Sequence, residues 1–492
     1  MKILLVYPKT PGTFWSLENA IKFIKKKALE PPLGLLTVAA LLPEEWETRL
    51  VDMNVRSLED EAIRWADLVF LGGMSIQKSS FDRVVERCRG LGVTVVAGGP
   101  MCTMEPDAFP DVDHLVLGEA ELSLPPFLRD LEEGHPNRVY TAPEFADITS
   151  TPRPRWDLLD VDAYALMDIQ YSRGCPYNCD FCTITMLYGH RPRIKDTDQF
   201  LGELDALCDS GWRGAVFVVD DNFIGNRGRL KRDFLPALIE WSERRGHPFE
   251  FSTEVSIDLA DDPELTALMV RAGFKMVFVG IETPDEGSLA ECGKRQNQGR
   301  DMMESVKTLQ RRGLVVAGGF IVGFDHDGPD IFERMIRFIQ NSGICTAMVG
   351  LLNAPLGTKL FQRLSAENRI LSSMSGDNMD GSLNFVPRMN PGLLLEGYRR
   401  VIRTIYSQGA YFERIKTFLA EYTVPRFPPA RRTPAEIGAV LRAFWRLGVV
   451  ERGRRFFWRL VFHVLHKHPE KAGTAFRMAI YGFHYRKVIE RI

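Results

Sequence analysis

The 492-residue chain has no apolar run near the ~18 to 20 residues that a membrane span needs. No charged start with an apolar stretch and a cleavage site precedes KILLVYP (2–8), so a cytoplasmic protein is expected. Neither charge dominates: 62 Lys+Arg against 64 Asp+Glu leave a net charge of -2. No chain-wide positive field would gather nucleic acid, and nucleic acid is not expected as a partner. Eight cysteines are too few for a disulfide scaffold. Low-complexity segments are missing, and 45% hydrophobic with 26% charged residues excludes disordered and coiled-coil classes. At ~150 residues per domain, two or three folded domains are predicted.

What is present is a βα rhythm. Short apolar runs at 2–8, 48–54, 68–74, 94–100 and 114–120 alternate with helix-patterned stretches such as 35–42 and 81–92. That alternation predicts a parallel, doubly wound Rossmann-like domain over residues 1–135, with ligands beyond the carboxyl ends of its strands. A Pro- and Asp-rich stretch, 136–164, reads as a linker. Six further strand candidates follow at 168–172, 214–220, 249–255, 276–282, 314–324 and 346–352. They predict a partial (β/α)6 TIM barrel over 165–356, with its chemistry at the C-terminal strand ends. Two helix starts are marked by caps, Asp196 with Gln199 and Asp262 before Pro263.

The segment RGCPYNCDFC (173–182) places Cys175, Cys179 and Cys182 in a C-x3-C-x2-C spacing directly after the first barrel strand. Three thiolates on one loop can hold three irons of a [4Fe-4S] cube and leave the fourth open as a reaction site. Zinc held by these cysteines and His190 is the other metal reading. Arg191 and Arg193 could meet an anion, although a solvated loop is expected for both. Cys102 and Cys292 are expected to be free thiols.

This loop, with Phe181 just before its last cysteine, resembles the radical S-adenosylmethionine (SAM) superfamily. The resemblance implies that Cys175, Cys179 and Cys182 are cluster ligands and that Phe181 lies against the SAM adenine. It further implies SAM contacts from Asp220, Asp221 and Asn222, which stand where the family commonly has a Gly-Gly-Glu-like motif, and from Glu254, Glu282 and Gly323. The reading of Glu254 and Glu282 beside this is a structural salt bridge at the barrel rim.

PPLGLLTVAALLP (31–43), VVAGGP (95–100) and DHLVLGEAELSLPPFL (113–128) resemble the cobalamin-binding domain of the B12-binding radical SAM class. By that resemblance Gly72, Gly73, Ser75, Gly98, Gly99, Gly118 and Glu119 border cobalamin. Asp-x-His-x-x-Gly is missing, so cobalamin would lack a lower axial histidine, and Met101 stands where relatives often carry His. GTFWSLENA (12–20), 31–54 and the C-terminal extension resemble most the branch that includes the hopanoid C-2 methylase.

Residues 357–492 read as a helical extension. The last 52 hold 12 Lys/Arg against 3 Asp/Glu and are rich in aromatics. A helical cap on the barrel is expected, with a basic aromatic surface on anionic membrane as the alternative.

The expected function is C-methyl transfer to an unactivated carbon of an apolar, lipid-like substrate by a cobalamin-dependent radical SAM enzyme. The [4Fe-4S] cluster, SAM and cobalamin would be its cofactors, and flavodoxin or ferredoxin its reductant. The alternative is a radical SAM cyclase, rearrangement or oxidation enzyme in which cobalamin is absent or gives no methyl. A non-catalytic corrinoid or cluster sensor is the third reading. The catalytic side chains stay unknown at this stage, and contact with the inner membrane face would run through the tail.

Overall fold

The computed structural model describes residues 1–377, 379–425 and 434–492. The first six strands are β1 (Lys2–Tyr7), β2 (Glu47–Asp52), β3 (Leu68–Gly72), β4 (Thr94–Gly98), β5 (His114–Val116) and β6 (Val139–Tyr140). They form one parallel sheet in the order β2-β1-β3-β4-β5-β6. Because β1 lies between β2 and β3, the chain reverses its winding there, which opens a crevice at the carboxyl strand ends. Ile3, Leu5 and Phe70 face helices Leu33–Leu41 and Ala120–Glu132, while Leu4, Val6, Val69 and Leu71 face helix Lys78–Gly90. Burial on both faces explains why these strands read as unbroken apolar runs.

The second parallel sheet comprises β7 (Met167–Ile169), β10 (Gly214–Val218), β11 (Phe249–Val255), β12 (Phe274–Glu282), β13 (Val315–Val322) and β14 (Ala347–Leu351), neighbours in chain order. Two short strands, β8 (Ser172–Arg173) and β9 (Arg193–Ile194), pair antiparallel beside it. Both predicted caps form: Asp196 and Gln199 make a capping box on helix Thr197–Asp209, and Asp262 accepts from the Leu265 N–H.

Residues alternate between the two faces along the central strands of this sheet, with irregularities at both ends of β12. Met167, Ile169, Val216, Val218, Phe251, Val255, Val277 and Val279 are buried against the helices. The intervening Asp168, Phe217, Ser252 and Met276 stand in register across four strands, and Glu254 pairs with Phe278 one layer on. Most of this inner face is only half-buried, so it stays accessible from the open side of the barrel.

The stretch 136–164 differs from the predicted linker. Val139–Tyr140 adds β6 to the first sheet, and Tyr140, Trp156, Ala163 and Tyr164 are buried in the core shared by the two sheets. Its apolar residues are too irregularly spaced to show a helical or strand period, although the two-layer packing still buries them.

The C-terminal helices close the open side. Tyr398, Val401, Ile402 and Ile405 of helix Pro391–Ile405 join the barrel core. The Tyr406 hydroxyl accepts from Ala347 N (3.0 Å) and donates to Ala347 O (2.9 Å), which satisfies the free edge of β14. Helix Ala472–Ile489 reaches the N-terminal segment, where Tyr485 stacks on Phe14 with ring centroids 4.1 Å apart. None of the described helices is long and apolar enough to cross a membrane.

Candidate functional site

The cysteine loop is anchored at both ends by backbone geometry. β8 and β9 pair at its base, and Gly174 adopts φ +95, where an added Cβ would lie 2.9 Å from the carbonyls of Tyr188 and Gly189. Only glycine fits there. Cys175 N donates to Gly189 O (3.3 Å) and Cys182 N to Cys179 O (3.1 Å), which turns the loop tightly around the three thiols. The acids at the end of β10 pin it: Asp220 accepts from Tyr171 N (2.8 Å) and Ser172 Oγ (2.6 Å), and Asp221 accepts from Gly174 N (3.0 Å). Asn222 bonds Ser256 through both ends of its amide, joining the ends of β10 and β11.

All three loop cysteines are free thiols and half-buried. Burial pushes each thiol up, Cys182 to about 12, while the Lys294 ammonium opposes that rise. The bare thiolates would also repel one another. Lys294 Nζ donates to Glu282 Oε1 (2.6 Å), and Gln296 Nε2 to Cys179 Sγ (3.8 Å). Burial pulls Lys294 down, but Glu282 and Cys179 hold it well above an ordinary lysine. Three soft donors that are costly to ionise singly suit a polynuclear iron-sulfur cation that shares their charge. Among the described residues no three His, Cys, Asp or Glu side chains close on one metal ion, and His190 is exposed.

The other predicted positions divide into two groups. Phe181 packs on Phe324 (centroids 6.4 Å) at the edge of an apolar cluster that contains Cys292, and Gly323, at φ +108, closes β13. Cys292 lies near Cys179 but turns its thiol to Leu289 O, and burial pushes it up to about 12. Cys102 is buried too. Gly72 and Gly98 end β3 and β4, with Gly73, Ser75 and Gly99 just beyond. A Cβ on Gly98 would meet Val116 O at 2.6 Å. Gly118 N donates to Thr103 Oγ1 (2.9 Å), tying the loop after β5 to the one after β4.

Glu119 takes a different place from a ligand-facing one. Its carboxylate accepts from Arg173 Nη1 (2.9 Å), Arg193 Nη1 (2.9 Å) and Ala146 N (2.7 Å), and Arg173 also meets Glu121 (2.8 Å). Arg193 is therefore a half-buried brace and not the solvated loop residue expected, whereas Arg191 is exposed. This network locks the loop after β5 of the first sheet to the cysteine loop of the second. The salt-bridge reading of Glu282 holds through Lys294, and Glu282 sits at φ +62, a left-handed conformation a non-glycine residue adopts at a cost.

Glu254 has no hydrogen-bond partner among the described residues. Burial, then Asp221, push its carboxyl up to about 8. Sequence reading missed two acids behind it. Asp168 on β7 is buried with Oδ1 unpartnered, and Glu30, crowded by protein, still keeps an accessible surface. The run of residues 28–29 beside 164–166 sets Glu30 next to Asp168. Burial pushes Glu30 up to about 7 and Asp168 well above its usual range. Asp168 was visible as an acid within an apolar strand; nothing in the sequence marked Lys294.

Glu254 fixes a pH dependence. Unfolded, its carboxyl releases its proton near 4.5; folded, near 8. Between those values the native state holds the extra proton, so stability falls as pH rises. In the protein stripped of cofactors, Glu254→Gln should raise stability at pH 8 by up to about 4 kcal/mol and flatten the decline from pH 5 to 8. Thermal melts across that range check it, and parallel curves for both proteins would refute it.

Family models match three regions: a B12 binding domain over 23–128, the radical SAM superfamily over 169–339, and a domain of unknown function, DUF4070, over 358–492. An uncharacterized methyltransferase of Synechocystis sp. is 39% identical over 100% of this chain and 93% of its own length. The hopanoid C-2 methylase of Rhodopseudomonas palustris is 33% identical over 94% of this chain and 89% of its own. Among solved structures, the radical SAM methyltransferase TsrM of Kitasatospora setae, with cobalamin and a [4Fe-4S] cluster bound, superposes with a TM-score of 0.63 at 15% identity, over 96% of this chain and 99% of that one.

Proposed function

The chain belongs to the radical SAM superfamily, in the branch that carries a B12-binding domain, and on that premise we propose that Cys175, Cys179 and Cys182 hold the cluster of a methyltransferase acting on an apolar, lipid-like substrate. It is a cobalamin-dependent radical SAM methyltransferase of a small molecule, with [4Fe-4S], SAM and cobalamin as cofactors. The observation that carries the site assignment is the brace from Glu119 to Arg173 and Arg193, which sets the glycine-lined strand ends of the first sheet against the cysteine loop of the second. The bound cofactors supply a hydrogen-abstracting radical and a methyl donor, chemistry no side chain provides for an unactivated carbon.

The chain's own residues position and enclose. Asp221 and Asp220 fix the loop through Gly174, Tyr171 and Ser172, so the thiols keep one geometry. Lys294 offsets their negative charge and is itself oriented by Glu282. Glu254, Asn222 and Gly323 stand around the same strand ends and would meet SAM, with Phe181 beside its adenine. Gly99 and Gly118, where an added Cβ would meet no atom closer than 3.8 Å, leave room for a flat macrocycle to approach the backbone, with Gly72, Gly73 and Gly98 at the neighbouring strand ends.

Phe217, Met276, Phe278, Ile321 and Met348 on the inner barrel face, with Trp15 edge-on to Phe278 at 5.4 Å, support an apolar substrate. The Asp168–Glu30 pair at one side suits a few hydrogen-bonding groups on it. Holding the reacting carbon in a dry cavity is the protein's share of the rate. A one-electron donor such as flavodoxin or ferredoxin would reduce the cluster, and an apolar substrate would be met at the inner membrane face.

The test is anaerobic reconstitution with SAM labelled in its methyl group. Label is expected in the product, alongside 5'-deoxyadenosine, with iron, sulfide and corrinoid all bound. Label retained in methionine while the substrate is cyclised or oxidised would replace methyl transfer by the rival reading.

A further inference from the structure

Helix Pro434–Trp445, the π-turn Arg446–Val450 and helix Arg454–Lys467 form a hairpin with two unlike sides. Inward, Ala443, Leu447, Phe457 and Val461 build a small core with Phe23 and Phe483. Outward, Leu441 (66% exposed), Trp445 (65%) and Phe462 (68%) stand in solvent with Val449, Val450 and Leu465. Of the described rings Phe462 meets only that of the neighbouring Trp458 (centroids 6.1 Å), and an apolar patch this exposed, continued over three successive elements, marks an interaction surface.

The charge around the patch has one sign. Residues 438–468 contain seven Arg or Lys and a single acid, Glu451, which Arg446 already pairs. Arg452, Arg454, Arg455 and Arg459 form no ion pair among the described residues. Arg454 and Arg455 line a notch with Gly448, Val449 and Trp458. A second basic segment from the far end of the sequence joins them: Lys22–Ile24 packs on helix Pro434–Trp445, and Arg442 Nε donates to Phe23 O (2.7 Å). Exposed Lys22, Lys25 and Lys27, with Ile24 partly open, extend the basic region.

We infer that this hairpin, together with Lys22–Lys27, is the docking face for an anionic lipid bilayer, its aromatic and aliphatic side chains entering the headgroup boundary and its arginines meeting lipid phosphates. Exposed aromatics ringed by unpaired arginines match the chemistry of that boundary, apolar inside and anionic outside. A protein partner would need a fixed acidic counter-surface; a bilayer needs only depth and negative charge. The inference deepens the apolar-substrate reading by naming where such a substrate would be met. The connection is structural, since the segment after Trp15, which touches the inner barrel face, runs directly into Lys22–Lys27.

The experiment is co-sedimentation of the reconstituted full-length protein with phosphatidylcholine vesicles, with and without phosphatidylglycerol. Binding is expected only with the anionic lipid and should weaken as salt rises. Arg454→Glu/Arg455→Glu and Trp445→Ser/Phe462→Ser should each weaken it at least tenfold, with SAM cleavage unchanged. Lys22→Glu/Lys25→Glu gives the same reading from a different segment should a hairpin variant fail to fold. Failure of the native protein to bind, equal binding to neutral vesicles, or variants that bind as tightly would overturn the inference. So would displacement by inorganic phosphate at matched ionic strength, or a dimer that the hairpin variants dissolve. SAM cleavage and methyl transfer are read separately, so a soluble substrate would end the lipid reading and leave vesicle binding to stand or fall by itself.

Discussion

Serine at Cys175, Cys179 or Cys182 is expected to cost the protein its iron and sulfide and to lower reductive SAM cleavage by roughly a thousandfold or more, the scale of losing a group at the reacting centre. Cys292→Ser and Cys102→Ser should keep both. The contrast is informative because Cys292 is the one remaining cysteine near the loop. Its thiol is bonded to Leu289 O within an apolar cluster, where a cluster ligand could not turn without unpacking Phe324 and Leu352. Iron and sulfide quantification with a SAM-cleavage assay decides it. A Cys292→Ser protein that loses the cluster, or a triad variant that retains full cleavage, would sink the assignment.

Breaking the brace between the two sheets should have the largest effect on stability. Arg173 is buried and bonded to Glu119, Glu121 and Gln170. Arg173→Met would strand Glu121 without its cation, a loss of about 3 to 5 kcal/mol. Glu119 would keep Arg193 alone. Arg173→Lys should recover only part, since a point charge cannot serve both carboxylates as the guanidinium fork does. Adding Glu121→Gln to Arg173→Met should restore some stability by removing the stranded charge. Melting temperature and methyl transfer per SAM cleaved are the readouts. A wild-type melting curve for Arg173→Met would show that the brace carries no net stability.

Much of this molecule was legible because local signals agreed with the fold. The apolar runs of β1, β3 and β4 were read to within about two residues, as buried parallel strands announce themselves by continuity. Asp262 before Pro263, with Gly273 at φ +106, fixed both ends of one barrel helix, since caps act over three or four residues. β6 escaped, because two residues cannot show a period; only the neighbouring β5 makes Val139–Tyr140 a strand. Glu119 was assigned by its neighbourhood of glycines, and its two arginine partners lie more than fifty residues away. The same holds for Lys294, whose meaning comes from Glu282 and the cysteine loop folding over it.

By itself the sequence determined the two βα units, the three-thiol loop and the basic, aromatic character of the tail, since each is written in residues close together along the chain. Tertiary structure alone decided that Arg193 braces two sheets, that Glu30 stands beside Asp168, and that Lys22–Lys27 stands beside the C-terminal hairpin. Those are pairings of charge and burial across long chain separations, and a free energy that depends on what surrounds a side chain cannot be read from the side chain's own neighbours in sequence.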